Sequence, residues 1–387
     1  MKVVFDFRKY DGIIGGVEQG VIQIVKYLTS TEHSVVVLCK KNRLEQVKNI
    51  FLQNQNLTII PLDVKSHAMS VKNIKLDSST IQDIALLQNA DIIHFFYNWS
   101  FPLRKKLPSV LTVHDVIPFT FREAMGLFRN AFLYKPGIKM ACCLNNFIAT
   151  VSEYSKQDIA KKVGVPLKKI RVIPNGLREP NPKDLALEEG LKSKFKINSN
   201  FVLNVGGIHE RKNIVKLIHA FAMLVNLRNY PGKLLITGSV AGAPYQIKMK
   251  NICDAAVREA GMENRIVFTG FISEKELDSL FRMAEFLIYP SLYEGFGIPV
   301  LEAMKMELPV ITSNITGMPE VAGDAAYLVD PHSIEEMTSA MSELLQNKKL
   351  RAEMIAKGLE RVGTYTWQNV SERYLRLYQE AIDPNFS

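Results

Sequence analysis

Two glutamates eight positions apart, Glu294 and Glu302, bracket a Gly-Phe-Gly turn in the stretch SLYEGFGIPVLEAM, Ser291 to Met304. Pro299 suits the first turn of a helix, so one carboxylate stands just before a helix start and the other just inside it. A helix start is electropositive and offers free N–H groups. A carboxylate there stabilises that end of the helix, and a pair of them can also accept hydrogen bonds from vicinal diols. Glu302 alone is ordinary on the first count; Glu294, held in the glycine turn, is harder to explain that way.

Three other junctions between an apolar run and a helix carry polar or glycine-rich residues. NVGGIHERKN frees the backbone at Gly206 and Gly207 and adds Arg211 and Lys212 as a helix opens. Cations at a helix start oppose its dipole, a cost that makes sense if an anion such as a diphosphate sits there; two solvated basic residues are the plain alternative. DGIIGGVEQG, with Gly12, Gly15 and Gly16, allows close backbone approach to an anion, or is simply turn punctuation. His114, in TVHDVIP, ends a strand-like run where hydrogen bonding or proton handling near a reacting centre is its candidate work.

The elements that must position these residues alternate along the whole chain. In the first half, VVFDF, SVVVLC, LTIIPL, DIIHFF, SVLTVHD, FIATVS and IRVIPN read as strands with helical patterns between them. After Asn175–Gly176, the proline-bearing, charged segment 177–199 reads as a linker. Alternation then restarts with FVLNVGG, KLLITGS, RIVFTG, FLIYP, PVITS and AAYLVD. Ser273 with Glu276, and Ser333 with Glu336, have capping-box spacing at helix starts. The pattern predicts two doubly wound α/β domains with parallel sheets, and ligands at the carboxyl ends of their strands. With two such domains, a cleft between them is the expected active site.

Composition narrows the class. At 387 residues, 47% hydrophobic and 22% charged, the chain is that of an ordinary globular protein of two or three domains. Its four cysteines form no metal-binding pattern and read as buried free thiols, no run is long and apolar enough to cross a membrane, and MKVVFDFRKYDG is too charged for a secretory signal. The expected location is cytoplasmic. No Asp-x-Asp, HExxH or nucleophile-elbow pattern occurs, so no metal and no cofactor are expected. Residues 1–176 hold 18 Lys and 6 Arg against 8 Asp and 5 Glu, a net +11, leaving −2 for the rest of a chain of net charge +9. Clusters at 40–43, 104–106, 161–162 and 168–171 could face a phosphate-bearing acceptor or make peripheral contact with an anionic membrane at its inner face. A solvated surface explains any single cluster; the asymmetry of a whole half is harder to dismiss.

Together these blocks resemble the retaining, nucleotide-sugar-dependent glycosyltransferases of family four. The resemblance rests on Glu-x7-Glu in EGFGIPVLEAM after a strand ending YPS, with GGIHERKN, HDVIP, TVSEYSKQDI, VIPNG and FTGFIS in the family's order. It implies the GT-B fold, two Rossmann-like domains facing across a cleft. Residues 1–176 would form an acceptor-binding domain, 200–365 a nucleotide-sugar domain, and 366–387 a helix crossing back to the first. It implies that Glu294 contacts the donor sugar and stabilises the transition state, with His114 beside that sugar. Glu302 would bind the ribose, and backbone at Phe271–Ile272 the base. Arg211 and Lys212 would grip the diphosphate, with backbone N–H groups at Gly15–Gly16 and Gly297–Ile298. Many members place a further basic residue where this chain has Gly207–Ile208–His209, which makes Lys212 the firmer of the two cations. The RKN and HDVIP variants resemble the mannosyltransferase branch, pointing to GDP-mannose, with UDP-sugars used by members with similar blocks. The implied acceptor is a glycan or lipid-linked glycan in polysaccharide biosynthesis.

Two other classes compete. A nucleotide-sugar epimerase would share the two-domain fold but lacks these blocks. A non-catalytic basic binding protein would be expected to lose Glu294, His114 or Lys212. No nucleic acid partner is expected, since no recognition helix or stacking platform is evident.

Overall fold

The seven apolar runs of the first half each form a strand: β1 (Lys2–Asp6), β2 (Ser34–Lys40), β3 (Leu57–Leu62), β4 (Ile92–Phe95), β5 (Ser109–Thr112), β6 (Phe147–Thr150) and β7 (Ile170–Val172). They pair in parallel in the order β3-β2-β1-β4-β5-β6-β7. The six of the second half follow suit: β8 (Phe201–Asn204), β9 (Lys233–Thr237), β10 (Ile266–Gly270), β11 (Leu287–Tyr289), β12 (Val310–Ser313) and β13 (Tyr327–Val329), in the order β10-β9-β8-β11-β12-β13. The central strands are buried on both faces, which is why their sequences are apolar without alternation. This computed structural model describes residues 1–51, 54–64, 70–121, 130–240, 244–383 and 385. Positions 384, 386 and 387 of the C-terminal segment lie outside them.

The chain divides into two units, one of Met1–Phe119, Leu127–Gly176 and Tyr365–Ser387, the other of Thr120–Gly126 and Leu177–Thr364. In each sheet the strand order turns about its first strand: β1 lies between β2 and β4, and β8 between β9 and β11. Loops leaving neighbouring strands there run to opposite faces and open a crevice at the carboxyl ends. Every junction singled out in the sequence lies at the carboxyl end of a strand; those after β1, β8 and β11 sit at the two turning points, and the His114 junction follows β5, one strand further out.

The helix Trp367–Ile382 packs on the first unit, against the helix Gly16–Thr29 and strands β4 and β5. Thr366 caps it by accepting the Asn369 N–H at 3.2 Å. It buries Val370, Tyr374, Leu377 and Tyr378 in the core below β1 and β2. Burying one such aliphatic side chain is worth about 2 kcal/mol. Its polar atoms are met as well: His94 bridges Tyr378 Oη at 2.6 Å and Thr112 Oγ1 at 2.8 Å. Burial holds the His94 imidazole neutral, its pKa lowered to about 3. Gly176 leaves room for the Trp367 indole, which a Cβ there would strike.

Three local expectations come out differently. Residues 177–199 contain a helix, Leu185–Lys194, because Asp184 caps it at the Leu187 N–H (3.0 Å) and Leu191 is buried. Ser273 and Glu276 form a full capping box, whereas Ser333 receives the Glu336 N–H but gives its own N–H to Asp330 O. The Glu336 carboxylate then takes the Asp330 N–H at 2.8 Å. Of the cysteines, Cys39, Cys142 and Cys253 are buried, but Cys143 is exposed, since its neighbour Cys142 takes the inward face of the helix Lys135–Leu144.

Candidate functional site

In the second unit, the loops after β8 and β11 meet. Asn204, at the end of β8, donates to Ile288 O at 2.7 Å and ties the two strands together. Beyond it Gly206 and Gly207 have φ of +109° and +43°, the first a value that costs a side chain dearly. A Cβ at Gly206 would stand 3.1 Å from Lys212 Nζ, so the glycine keeps open the channel through which that lysine reaches inward. A turn over Glu210–Lys212 and Asn213 in the left-handed region (φ +61°) then open the helix Ile214–Arg228.

Lys212 and Arg211 both end on Glu294. Lys212 Nζ lies 2.7 Å from Glu294 Oε1, bonds the Tyr289 hydroxyl, and stands 4.4 Å from the centre of its ring. Arg211 Nη1 pairs with the same oxygen, which also accepts from Ser291 Oγ at 2.8 Å and Tyr289 Oη at 3.0 Å. Glu294 is only 8% exposed. Burial by itself would raise its pKa, but Lys212 and Arg211 outweigh that and hold it down to about 2, so it is an anion throughout the physiological range. Burial, then Glu294, push the Tyr289 phenol well up, and it stays a hydrogen-bond donor.

The turn itself is strained to purpose. Gly297 has φ +91° and caps the helix Ile298–Lys305; a Cβ there would collide with Met318 Cε. Glu302, one turn into that helix, does not join Glu294. It accepts from Arg178 Nε at 3.1 Å, and Arg178 makes a fork to buried Asp278, with Nη1 at 2.9 Å from Oδ2. Asn181 fastens Asp278 from the other side, its backbone N–H and its amide both at 2.7 Å. Burial raises the Glu302 pKa and Arg178 only partly opposes it, with Asp278 and Glu274 adding to the rise. Phe271 and Ile272 follow β10 and lead into the capped helix Glu274–Met283 that carries Asp278; Phe271 is 77% exposed, with its ring available to a flat partner.

The remaining candidates belong to the first unit. Gly15 and Gly16 start the helix Gly16–Thr29, and the Gly15 N–H is already taken by Glu18 Oε2 at 3.1 Å. Glu18 Oε1 in turn accepts from Tyr97 Oη at 3.2 Å. His114 follows β5; burial, helped by Lys9, lowers its pKa to about 4, so the imidazole is neutral above pH 5. Its Nε2 is shielded from water and has no hydrogen-bond partner among the described residues.

Arg178, Asp278, Tyr289 and Ser291 were not singled out from the sequence. Tyr289 sits in the strand ending YPS and Arg178 follows Asn175–Gly176, but nothing in either context marks a partner 5 or 124 positions away. Among the described residues no group of three or more His, Cys, Asp or Glu is placed to hold a metal ion, and no helix is long and apolar enough to cross a membrane.

Comparison with known proteins identifies the family and the fold. The family model "Glycosyl transferases group 1" matches residues 188–361, and the model "Glycosyltransferase Family 4" matches residues 14–178. The chain is 27% identical over 297 residues to O-antigen chain mannosyltransferase B of Escherichia coli, covering 76% of each. It is also 27% identical to the serotype-specific mannosyltransferase WbdA of Escherichia coli, over 70% of this chain but only 34% of that longer protein. Anabaena Alr3699/HepE, solved in complex with UDP-glucose, superposes with a TM-score of 0.75 at 16% identity, covering 98% of this chain and 100% of that one. The fold is GT-B.

Proposed function

We propose that this chain, which belongs to the family-four glycosyltransferases, moves a mannosyl residue from GDP-mannose to a glycan or lipid-linked acceptor in polysaccharide assembly, a UDP-hexose being the alternative donor. The observation that carries it is the buried Glu294 carboxylate held between Arg211 and Lys212 at the turning point of the second sheet. Neutralised in this way, an anion can stay charged in a nearly dry site, where it stabilises positive charge developing on a sugar ring.

In the proposed reaction the bond between the sugar's anomeric carbon and the β-phosphate oxygen breaks, and its electron pair leaves with the diphosphate. The acceptor hydroxyl forms the new bond on the same face, and its proton passes to the departing phosphate oxygen, so anomeric configuration is retained. Arg211 and Lys212 meet the charge that builds on the leaving group, together with the N–H groups at Gly297–Ile298 and Gly15–Gly16, and no divalent ion is required. For that, Arg211 and Lys212 must exchange Glu294 for phosphate, and Gly15 must exchange Glu18. Glu302, oriented by Arg178, would accept from the ribose hydroxyls, and Phe271–Ile272 would meet the base. His114, neutral, would serve the donor sugar as a hydrogen-bonding group. The +11 charge of residues 1–176 supports peripheral docking of the first unit on anionic lipid; equal co-sedimentation with neutral and anionic vesicles would remove that part.

The experiment is a turnover panel of GDP-, UDP- and ADP-sugars with wild type and Glu294→Gln, reading free nucleotide and the anomer by NMR. GDP release from GDP-mannose, lost in the variant, is the expected result. Interconversion of the free nucleotide sugar with no transfer, or no nucleotide sugar turned over and none raising the melting temperature, overturns the proposal.

A further inference from the structure

We infer that the second unit binds a small polyhydroxylated anion, a sugar phosphate or a sugar acid, in a pocket at the amino ends of β8, β11 and β12, and that its occupancy tightens nucleotide binding; the coupling rests on the donor reading above. The pocket measures about 340 Å³ and lies wholly in that unit. That is within the roughly 300–1,000 Å³ of small-ligand sites. Asn200 and Glu285 stand just ahead of β8 and β11, and Leu308–Pro309 just ahead of β12, so the pocket opens at the end of the sheet opposite the Glu294 turn. None of Arg211, Lys212, Glu294 or Glu302 lines it.

Its lining calls for an anion that also carries hydroxyls. Arg282 donates from Nη2 to Asn181 O, while its Nη1 is shielded from water and has no hydrogen-bond partner among the described residues. A shielded N–H left unmet is costly, and a guanidinium's planar fork of donors suits phosphate or carboxylate. Half-buried Arg351 supplies a second cation. Its Nη1 holds Glu285 Oε2 at 2.7 Å, and Asn200 bonds the other oxygen, so that carboxylate is met on both sides and does not compete for Arg282. Two helices, Glu274–Met283 and Ile298–Lys305, end at the pocket. A helix end is electronegative and its carbonyls seek donors, so sugar hydroxyls are welcome there and a bare phosphate less so. Met283, Met306 and Ile355 offer adaptable apolar wall for the C–H edges of the sugar.

The same arginine is the far end of a hydrogen-bonded chain that begins at Glu302. Arg282 holds Asn181 O, and Asn181 donates its backbone N–H and its amide to Asp278, both at 2.7 Å. Asp278 takes the Arg178 fork, and Arg178 Nε holds Glu302 at 3.1 Å. Each helix that ends at the pocket carries a member of this chain: Asp278 and Arg282 on one, Glu302 on the other. An anion that fixes Arg282 therefore fixes Asn181, Asp278 and Arg178, and orients Glu302 before a nucleotide arrives. Groups ordered in advance bind more tightly, and by linkage the nucleotide tightens the anion by the same factor.

Methionines at both places make the test local. In the full chain labelled with [methyl-¹³C]methionine, Met283 and Met306 report on the pocket, and Met318, which a Cβ at Gly297 would strike, reports on the donor turn. Met283→Leu, Met306→Leu and Met318→Leu assign the three resonances. Mannose 6-phosphate and glucuronate are titrated at constant ionic strength, with mannose and inorganic phosphate as controls, in the absence and presence of saturating GDP or UDP, whichever moves Met318. Saturable movement of Met283 and Met306 with at least one sugar anion, and a Kd about fivefold lower with nucleotide bound, are expected. Ile355→Trp, which fills the pocket and leaves both arginines in place, should abolish the movement. A response to mannose 6-phosphate alone names a phosphate ester as the ligand class, and a response to glucuronate alone a sugar acid. If neither anion moves Met283 and Met306, if a control moves them equally, or if Ile355→Trp binds as wild type does, the site is overturned and the donor reading stands. An equal Kd with and without bound nucleotide overturns the coupling. If no nucleotide moves Met318, the donor reading fails and the coupling with it, while saturable movement of Met283 and Met306 still upholds the anion site.

Discussion

Replacing Glu294 by Gln should make the protein bind GDP more tightly while abolishing transfer. In the unliganded site Glu294 Oε1 lies 2.7 Å from Lys212 Nζ and also pairs with Arg211. A phosphate oxygen accepting from that lysine at about 2.8 Å would stand at most about 5.5 Å from the carboxylate. Two unit negative charges at about 5.5 Å, in an effective dielectric of about 20, repel by about 3 kcal/mol. Water admitted with the ligand reduces this, and about 1–2 kcal/mol remains, or roughly a tenfold lower Kd for GDP. Glutamine keeps a hydrogen bond to Ser291 or Tyr289, so the turn survives, but buried Lys212 and half-buried Arg211 lose their counter-charge. The apo variant should therefore melt earlier than wild type, and GDP should recover more of that loss than it adds to wild type. Isothermal titration calorimetry at fixed salt gives the affinities, and Lys212→Ala supplies the opposite arm, with GDP binding weakened at least about tenfold. A Glu294→Gln protein that melts cooperatively yet binds GDP no better than wild type would refute the assignment of Arg211 and Lys212 to the diphosphate.

Four further outcomes are expected. Gly297→Ala should destabilise the second unit by about 2 kcal/mol or more in denaturant titration, because it forces a side chain into φ +91° and against Met318 Cε; a loss under about 0.5 kcal/mol contradicts that account. Arg178→Met removes the cation that opposes the raised Glu302 pKa, so GDP affinity should begin to fall at a higher pH than in wild type as pH is lowered, read as Kd across the acid range; identical profiles would detach Arg178 from Glu302. His94 and His114 are lowered to about 3 and about 4, so the first unit's stability is complete above the ordinary histidine pKa and is lost as pH falls toward the folded values. Denaturant midpoints should show a slope approaching about 2.7 kcal/mol per pH unit near pH 5, two protons' worth, roughly halved by His94→Asn. Finally, a maleimide should label one thiol rapidly, Cys143, since burial raises Cys142 to about 12 and Cys39 and Cys253 to about 11; two or more fast equivalents would contradict the packing.

The sequence by itself determined whatever depends on near neighbours in the chain. Alternating β-branched runs and helical periods were sufficient to locate all thirteen strands named above, because both signals are local backbone preferences reinforced by burial. The glycine turns at Gly206–Gly207 and Gly297 were legible for the same reason, since φ values of +109° and +91° call for glycine wherever the chain goes next. Glu294, Arg211 and Lys212 were found separately, each from its own junction. That all three share one oxygen is decided by the tertiary structure: β8 and β11 lie side by side only because the strand order turns there, and this brings together residues 83 positions apart. The separation of Glu302 from Glu294 follows from the same source, as Arg178, 124 positions earlier, takes up its carboxylate. Residues 177–199 read as a linker because prolines and charges dominate their composition, yet Asp184 and Leu191 make a helix there once a surface exists to bury the leucine. The pocket between Arg282 and Arg351 draws on residues ahead of three strands, so no window of the chain contains it. Local preference writes the elements, but charge pairing, burial and pKa arise only where distant elements converge, and that convergence is set by sheet order.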